Sequence, residues 1–134
     1  MFDALDINAS ALLAQRTRMD TVAANVAKMN ATRNEDGEKI PYRRRFVVMQ
    51  AGQAGDTEKP GVHVASVEQD MSPFRKVYDP GHDDADAEGF VSYPNIDLAI
   101  EQVNMMEASR AYEANITMME TTKAMLNSTL RLLI

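Results

Sequence analysis

The sequence predicts a mainly α fold with a small β-rich middle, in which long N- and C-terminal helices pair as an antiparallel coiled coil and build one discontinuous helical domain. Three observations predict it. Residues 1–30 and 96–134 contain neither Gly nor Pro, and all six glycines and five prolines lie between them. Large apolar residues recur every seven positions in both terminal stretches, the spacing of a coiled-coil seam. The middle instead carries short runs of β-branched, alternating character. The expected division is residues 1–32 and 96–134 for the helical domain and 33–95 for the middle.

At the N-terminus, Leu5, Leu12, Met19 and Val26 are spaced by seven, and Val22 and Met29 follow the last two by three. Ala9 and Ala23 sit four beyond Leu5 and Met19, and seven alanines in the first 30 residues allow close helix approach. The stripe predicts an amphipathic helix of about 27 residues, roughly 40 Å long. Asn25 lies beside this stripe, where a buried amide fixes register at some cost in stability.

In the middle, residues 42–50 and 61–69 read as strands joined by the flexible segment 50–61, and residues 74–79 read as a third. Three short strands with small apolar faces make a marginal sheet, so this region is expected to lean on the helices or on another molecule.

The C-terminal stretch repeats the heptads more clearly: Leu98, Met105, Tyr112, Met119, Leu126 and Leu133, widened by Ile116 and Leu130. Asn95 after Pro94 is the expected N-cap, with Asp97 favourable at the positive end of the helix dipole. About 39 residues would span roughly 58 Å. Ser109, Asn115 and Thr122 fall among the large apolar groups, as small and polar residues would where helix backbones come close. Met118, Met125 and Leu132 on the flank, together with the ending LRLLI, leave apolar surface that one partner helix does not cover. Such surface marks an interface.

Composition excludes several classes. A net charge of −6 lacks the basic footprint of a general nucleic-acid binder. The absence of cysteine excludes a disulfide framework and thiolate catalysis. No run approaches 18 apolar residues, so no direct membrane span is expected. The N-terminus carries Asp3 and Asp6 and no basic n-region, so no cleaved signal is expected. Asp84, Asp86, Glu88 and Gly89 resemble the start of a calcium loop, but Asn95 stands where its bidentate Glu is needed. They read as a solvated acidic turn. His63 and His82 have no zinc spacing, and Arg43, Arg44 and Arg45 alternate across a strand, a poor phosphate cradle. No catalytic motif is present. No catalytic residue, cofactor, metal or small-molecule substrate is therefore expected.

Two motifs carry a resemblance. Ser10, Ala11, Leu12, Ala14, Gln15, Arg18, Met19, Ala23, Asn25 and Ala27 follow the pattern SALxAQxxRLxxxAxNxAN. Ala108, Ser109, Arg110, Tyr112, Ala114 and Asn115 follow A-S-R-x-Y-x-A-N. In both, the chain resembles the axial proteins of the bacterial flagellum: rod, hook and hook-associated proteins. VYDPGHDDADAEGFVSYPNID, residues 77–97, is similar to the proximal rod members. The resemblance implies a structural, non-enzymatic subunit of the periplasmic rod, exported without a cleaved signal peptide by the flagellar type III apparatus. It would polymerise with copies of itself and other rod proteins around the export channel. On this reading the packing and assembly interface comprises Leu5, Leu12, Met19, Val22, Asn25, Val26, Leu98, Met105, Ser109, Tyr112, Asn115, Ile116, Met119, Leu126, Leu130 and Leu133. The alternative is a soluble helical adaptor or export chaperone, stable on its own.

Overall fold

The computed structural model describes residues 2–134. Two long helices frame the chain: α1, Phe2–Ala27, and α2, Leu98–Leu132. Between them lie β1, Arg45–Ala51; β2, Val62–Gln69; β3, Arg75–Tyr78; and β4, Phe90–Tyr93. The helices run antiparallel, since Asn25 meets Glu101 near one end and Arg18 meets Glu107 farther along.

The heptad stretch in α1 stops at Ala27. The following residues form a turn, with the Met29 N–H on the Val26 carbonyl and the Ala31 N–H on that of Lys28, so Met29 lies outside the helix. Helix α2 begins at Asp97 rather than at the expected Asn95. Asp97 is extended (φ −104°, ψ 118°) and its carboxylate accepts from the Ala99 N–H at 2.9 Å. Asn95 is occupied elsewhere. Its Oδ1 accepts from the Arg44 N–H (2.9 Å), and its Nδ2 donates to the carbonyls of Asp70 (3.0 Å) and Ser72 (3.2 Å).

The middle forms two separate two-stranded sheets, where the sequence predicted one sheet of three strands. Strands β1 and β2 pair antiparallel from Arg45 opposite Gln69 to Ala51 opposite Val62, with a bulge at Val48/Met49 that leaves Ala65 unopposed. Strand β4 was not foreseen; it pairs β3, Arg75 opposite Tyr93 and Tyr78 opposite Phe90. The Tyr78 and Phe90 rings meet edge to face at 5.3 Å.

A lone hairpin is marginal in water, and the first one is fastened to α1 at both ends. At one end the Asn25 side chain donates from Nδ2 to the Arg45 carbonyl (2.8 Å) and accepts the Arg45 N–H at Oδ1 (3.0 Å). It thereby completes the free edge of β1 as a neighbouring strand would. At the other end Ser10 Oγ accepts the Val62 N–H (3.1 Å). Ser10 and Asn25 are fifteen residues apart, about 22 Å along a helix. Six strand steps between Arg45 and Ala51 span about 20 Å, so the hairpin lies along the helix at matching length. The approach is close enough to favour glycine at residue 61: φ is +151°, and a Cβ there would stand 2.9 Å from Ser10 Oγ and 3.0 Å from Gln53 Cγ.

The core is thin. Ala14, Val22, Val91, Ile96 and Ala108, with Pro41 and Pro94, are the buried apolar side chains among the described residues, and Asn25 and Glu101 are fully buried polar ones.

Candidate assembly surface

Glu101 anchors the junction of the two helices and the middle. Its side chain is fully buried, and Arg44 donates from Nε to its Oε1 at 2.5 Å. Asn25 donates from Nδ2 to its Oε2 at 3.3 Å. Arg44 also reaches Asp70 at 3.5 Å. The Asp70 carboxyl is held below the usual range by the Ser72 hydroxyl and N–H, and then by Arg44. Arg43 donates to the carbonyls of Asp70 and Ser72 and lies over the Phe74 ring, while Arg45 lies over Tyr42. The arginine run thus fastens the start of β1 to its surroundings, and Arg44 neutralises a buried carboxylate instead of making a surface ion pair.

The seam between the helices has two rows. Met105, Tyr112, Met119 and Leu126 are half-buried on α2, facing Leu5, Leu12, Met19 and Val26, also half-buried, and Val22, buried, on α1. A second row on α2 runs beside it, again spaced by seven: Asn115 and Thr122, which the sequence already set on this face, are half-buried, and Glu101 and Ala108, which it did not single out for packing, are buried. Ala108 is fully covered where the backbones come close. The usable signal was the heptad of small and polar residues running beside the apolar one. Ser109 Oγ contacts Met19 Sδ at 3.6 Å across the seam, whereas Asn115 donates to the Ala111 carbonyl of its own helix (2.8 Å). Arg18 pairs with Glu107 at 3.0 Å at the seam's edge.

Leu98, Ile116, Leu130 and Leu133 lie outside this packing. They are exposed, as are Ile100, Val103, Met106, Met118, Met125, Leu132 and Ile134. Leu126 is the last residue of α2 that is even half-buried; Leu132 is 88% exposed and Leu133 79%. Helix α2 therefore carries a covered seam and a large uncovered apolar surface.

The acidic turn is not simply solvated, contrary to the sequence reading. The Asp84 side chain is only 7% exposed. It accepts from Arg33 Nε (2.7 Å) and Thr32 Oγ1 (2.7 Å), and these two donors lower its carboxyl to about 2. Asp86 accepts the N–H groups of Phe90 and Glu88, both at 2.9 Å, and is lowered chiefly by the first. These carboxylates tie the loop before β4 to itself and to the loop after α1. His82 Nδ1 accepts the Asp84 N–H, and His63 Nδ1 lies 2.9 Å from the Gly52 carbonyl. Among the described residues no group of three or more His, Asp or Glu is placed to hold a metal, and no helix is long and apolar enough to cross a membrane.

Comparison with known proteins places this arrangement. The family described as "Flagellar basal body rod FlgEFG protein C-terminal" matches residues 87–132, from the end of the acidic turn through α2. Flagellar basal-body rod protein FlgC of Bacillus subtilis is 42% identical, the match covering 98% of this chain and 97% of that protein. FlgC of Salmonella typhimurium is 42% identical over the same shares. FlgC of Borreliella burgdorferi is 36% identical over 99% and 97%. With identity sustained from α1 through the middle to α2, the chain belongs to the flagellar basal-body rod protein family FlgC.

Proposed function

We propose that the chain is a structural subunit of the bacterial flagellar rod that polymerises through its terminal helices into the tube around the export channel, and that it catalyses no reaction. In this reading residues 1–32 and 96–134 are one discontinuous helical domain, paired as an antiparallel coiled coil, and residues 33–95 are a middle segment facing outward. The subunit sits in the periplasmic part of the basal body, beside copies of itself and other rod proteins. It reaches that place through the flagellar export apparatus without a cleaved signal peptide.

One observation carries the proposal: eleven large apolar side chains from Leu98 to Ile134 remain exposed after the helices have paired. A chain that works alone has no use for that surface, whereas a subunit packed on several sides does. In the tail, residues 130–134, four such side chains recover about 100 Å² each. At about 25 cal/mol per Å² this is on the order of 10 kcal/mol as an upper bound. Ordering the tail offsets about 1–2 kcal/mol per residue. The remainder favours association. The same exposure argues against a self-sufficient adaptor or chaperone.

The test is deletion of residues 130–134 in a strain lacking the intact gene. The shortened protein is expected to be made and exported but absent from isolated basal bodies, leaving the cells non-motile. Incorporation at the wild-type level would refute the assignment of this surface to assembly.

A further inference from the structure

A shallow groove of ≈ 420 Å³ opens where the C-terminal end of α1 meets the N-terminal end of α2. Val22, Ala23, Val26 and Ala27 line one wall, and Leu98, Glu101, Gln102 and Met105 the other. Ala23, Ala27, Leu98 and Gln102 are exposed in it, so the groove is mostly apolar, with one amide at its rim, bordered by small side chains and open to an incoming one. At the other end of the helix pair stands the exposed tail.

We infer that the C-terminal tail of one copy, residues 130–134, docks into this groove on a second copy. The inference rests on the rod reading above and names the contact that reading requires.

Three features support this occupant. First, a chain cannot fill its own groove. Helix α2 is continuous from Leu98 to Leu132, and the 29 residues between Glu101 and Leu130 hold the tail about 44 Å away. Second, the charges match. Arg131 is the only charged side chain of the tail, and Asp20 lies three residues before Ala23 and seven before Ala27, on the helix face that borders the groove. Both are exposed, and neither makes an ion pair among the described residues. Third, groove and tail are different patches at opposite ends of one rigid pair. Joining them is a heterologous contact, which propagates as an open filament when the rotation does not close. The tail contributes about 400 Å², half of the ~800 Å² per partner of a standard stable interface. One such contact does not hold two free copies together, but a lattice of them adds to a growing end.

The experiment reverses the charges in the full-length chain and reads the amount of subunit in isolated basal bodies by immunoblot, with swimming as the second readout. Asp20→Arg alone and Arg131→Asp alone are expected to lose most incorporation. The double variant, with the pair restored in opposite sense, is expected to recover it. Because both side chains are exposed and unpaired, the circular dichroism of all three purified proteins should match wild type. In parallel, differently tagged copies carrying Ala23→Cys or Leu133→Cys, in a chain otherwise without cysteine, should form a mixed disulfide on oxidation of isolated basal bodies. A double variant no better than either single, or the absence of that disulfide in basal bodies that contain both copies, overturns the docking while leaving the rod reading intact. Absence of even the wild-type chain from basal bodies overturns both.

Discussion

Replacing Glu101 by Ala tests whether one buried carboxylate joins the two helices to the middle. The side chain is fully buried. Its removal takes the ion-pair partner from Arg44, itself 20% exposed, and one acceptor from Asn25. Breaking a buried pair by removing one member costs about 3–5 kcal/mol. Asp70 remains 3.5 Å from Arg44, and Asn25 keeps both bonds to Arg45, so the lower end applies, about 3 kcal/mol. Glu101→Gln keeps the shape and the acceptor for Arg44 but loses the charge, and it can set an amide N–H₂ against that of Asn25. Exchanging a charge-assisted bond for a neutral one costs about 1–2 kcal/mol. Urea denaturation followed at 222 nm measures both. With a slope of about 1–3 kcal/mol per molar urea, Glu101→Ala should lower the midpoint by about 1–3 M, and Glu101→Gln should fall between it and wild type. The reasoning is refuted if Glu101→Ala melts within 0.5 M (roughly the resolution of such slopes) of wild type, or if the Gln variant is the less stable of the two.

Two further outcomes follow from the same bonds. Asn25→Ala strips the edge partner from Arg45 and leaves its part-buried N–H and carbonyl without that side chain, costing about 1–3 kcal/mol; amide exchange along β1 should accelerate more than exchange in α2, and uniform acceleration would contradict the edge-pairing role. For Asp84, the folded carboxyl at about 2 lies below its ordinary value of 3.8, so its stabilisation is complete above the ordinary value and is lost as pH falls through the folded one. The difference in urea midpoint between wild type and Asp84→Asn should be constant above about pH 5, shrink as pH falls, and disappear only below about pH 1; a difference independent of pH would show that the Arg33 pair contributes nothing.

What the sequence made legible follows from the range of each signal. The terminal helices are local features: heptads and missing breakers lie within a few turns, and both helices form. Their apolar row was visible because large side chains stand out. Its companion row was only half visible: Asn115 and Thr122 stood out as polar residues within the apolar face, whereas Glu101 and Ala108 did not, since small and polar residues register as gaps in a stripe even when packing buries them. The capping error has a tertiary cause. Asn95 and Asp97 are both good caps, and the choice was made by Arg44, whose N–H claims the Asn95 side chain from 51 positions away. Likewise Asp84 reads as solvated until Arg33, also 51 residues distant, is brought to it. Strand β4 was hidden because only pairing with β3 makes four residues a strand. As for the assembly surface, the sequence showed that apolar area would be left over, but the groove between the helix ends exists only once they are placed together.

The two-point fastening of the first hairpin has a mechanical consequence. A strand pair held to a helix at one place can swing about that place, and the helix can roll beneath it. Held at Ser10 and again at Asn25, fifteen residues away, it can do neither without breaking a bond at one end. The hairpin then works as a key set lengthwise into a shaft. A twisting load applied to the hairpin is delivered to α1 as torque, shared between anchors about 22 Å apart. Shear that would slide the strands along the helix must also break the Val62–Ser10 bond, which Gly61 lets form by admitting the close approach. On the proposed reading of the chain as a rod subunit, that keying couples the angular position of the middle segment to that of the terminal helices.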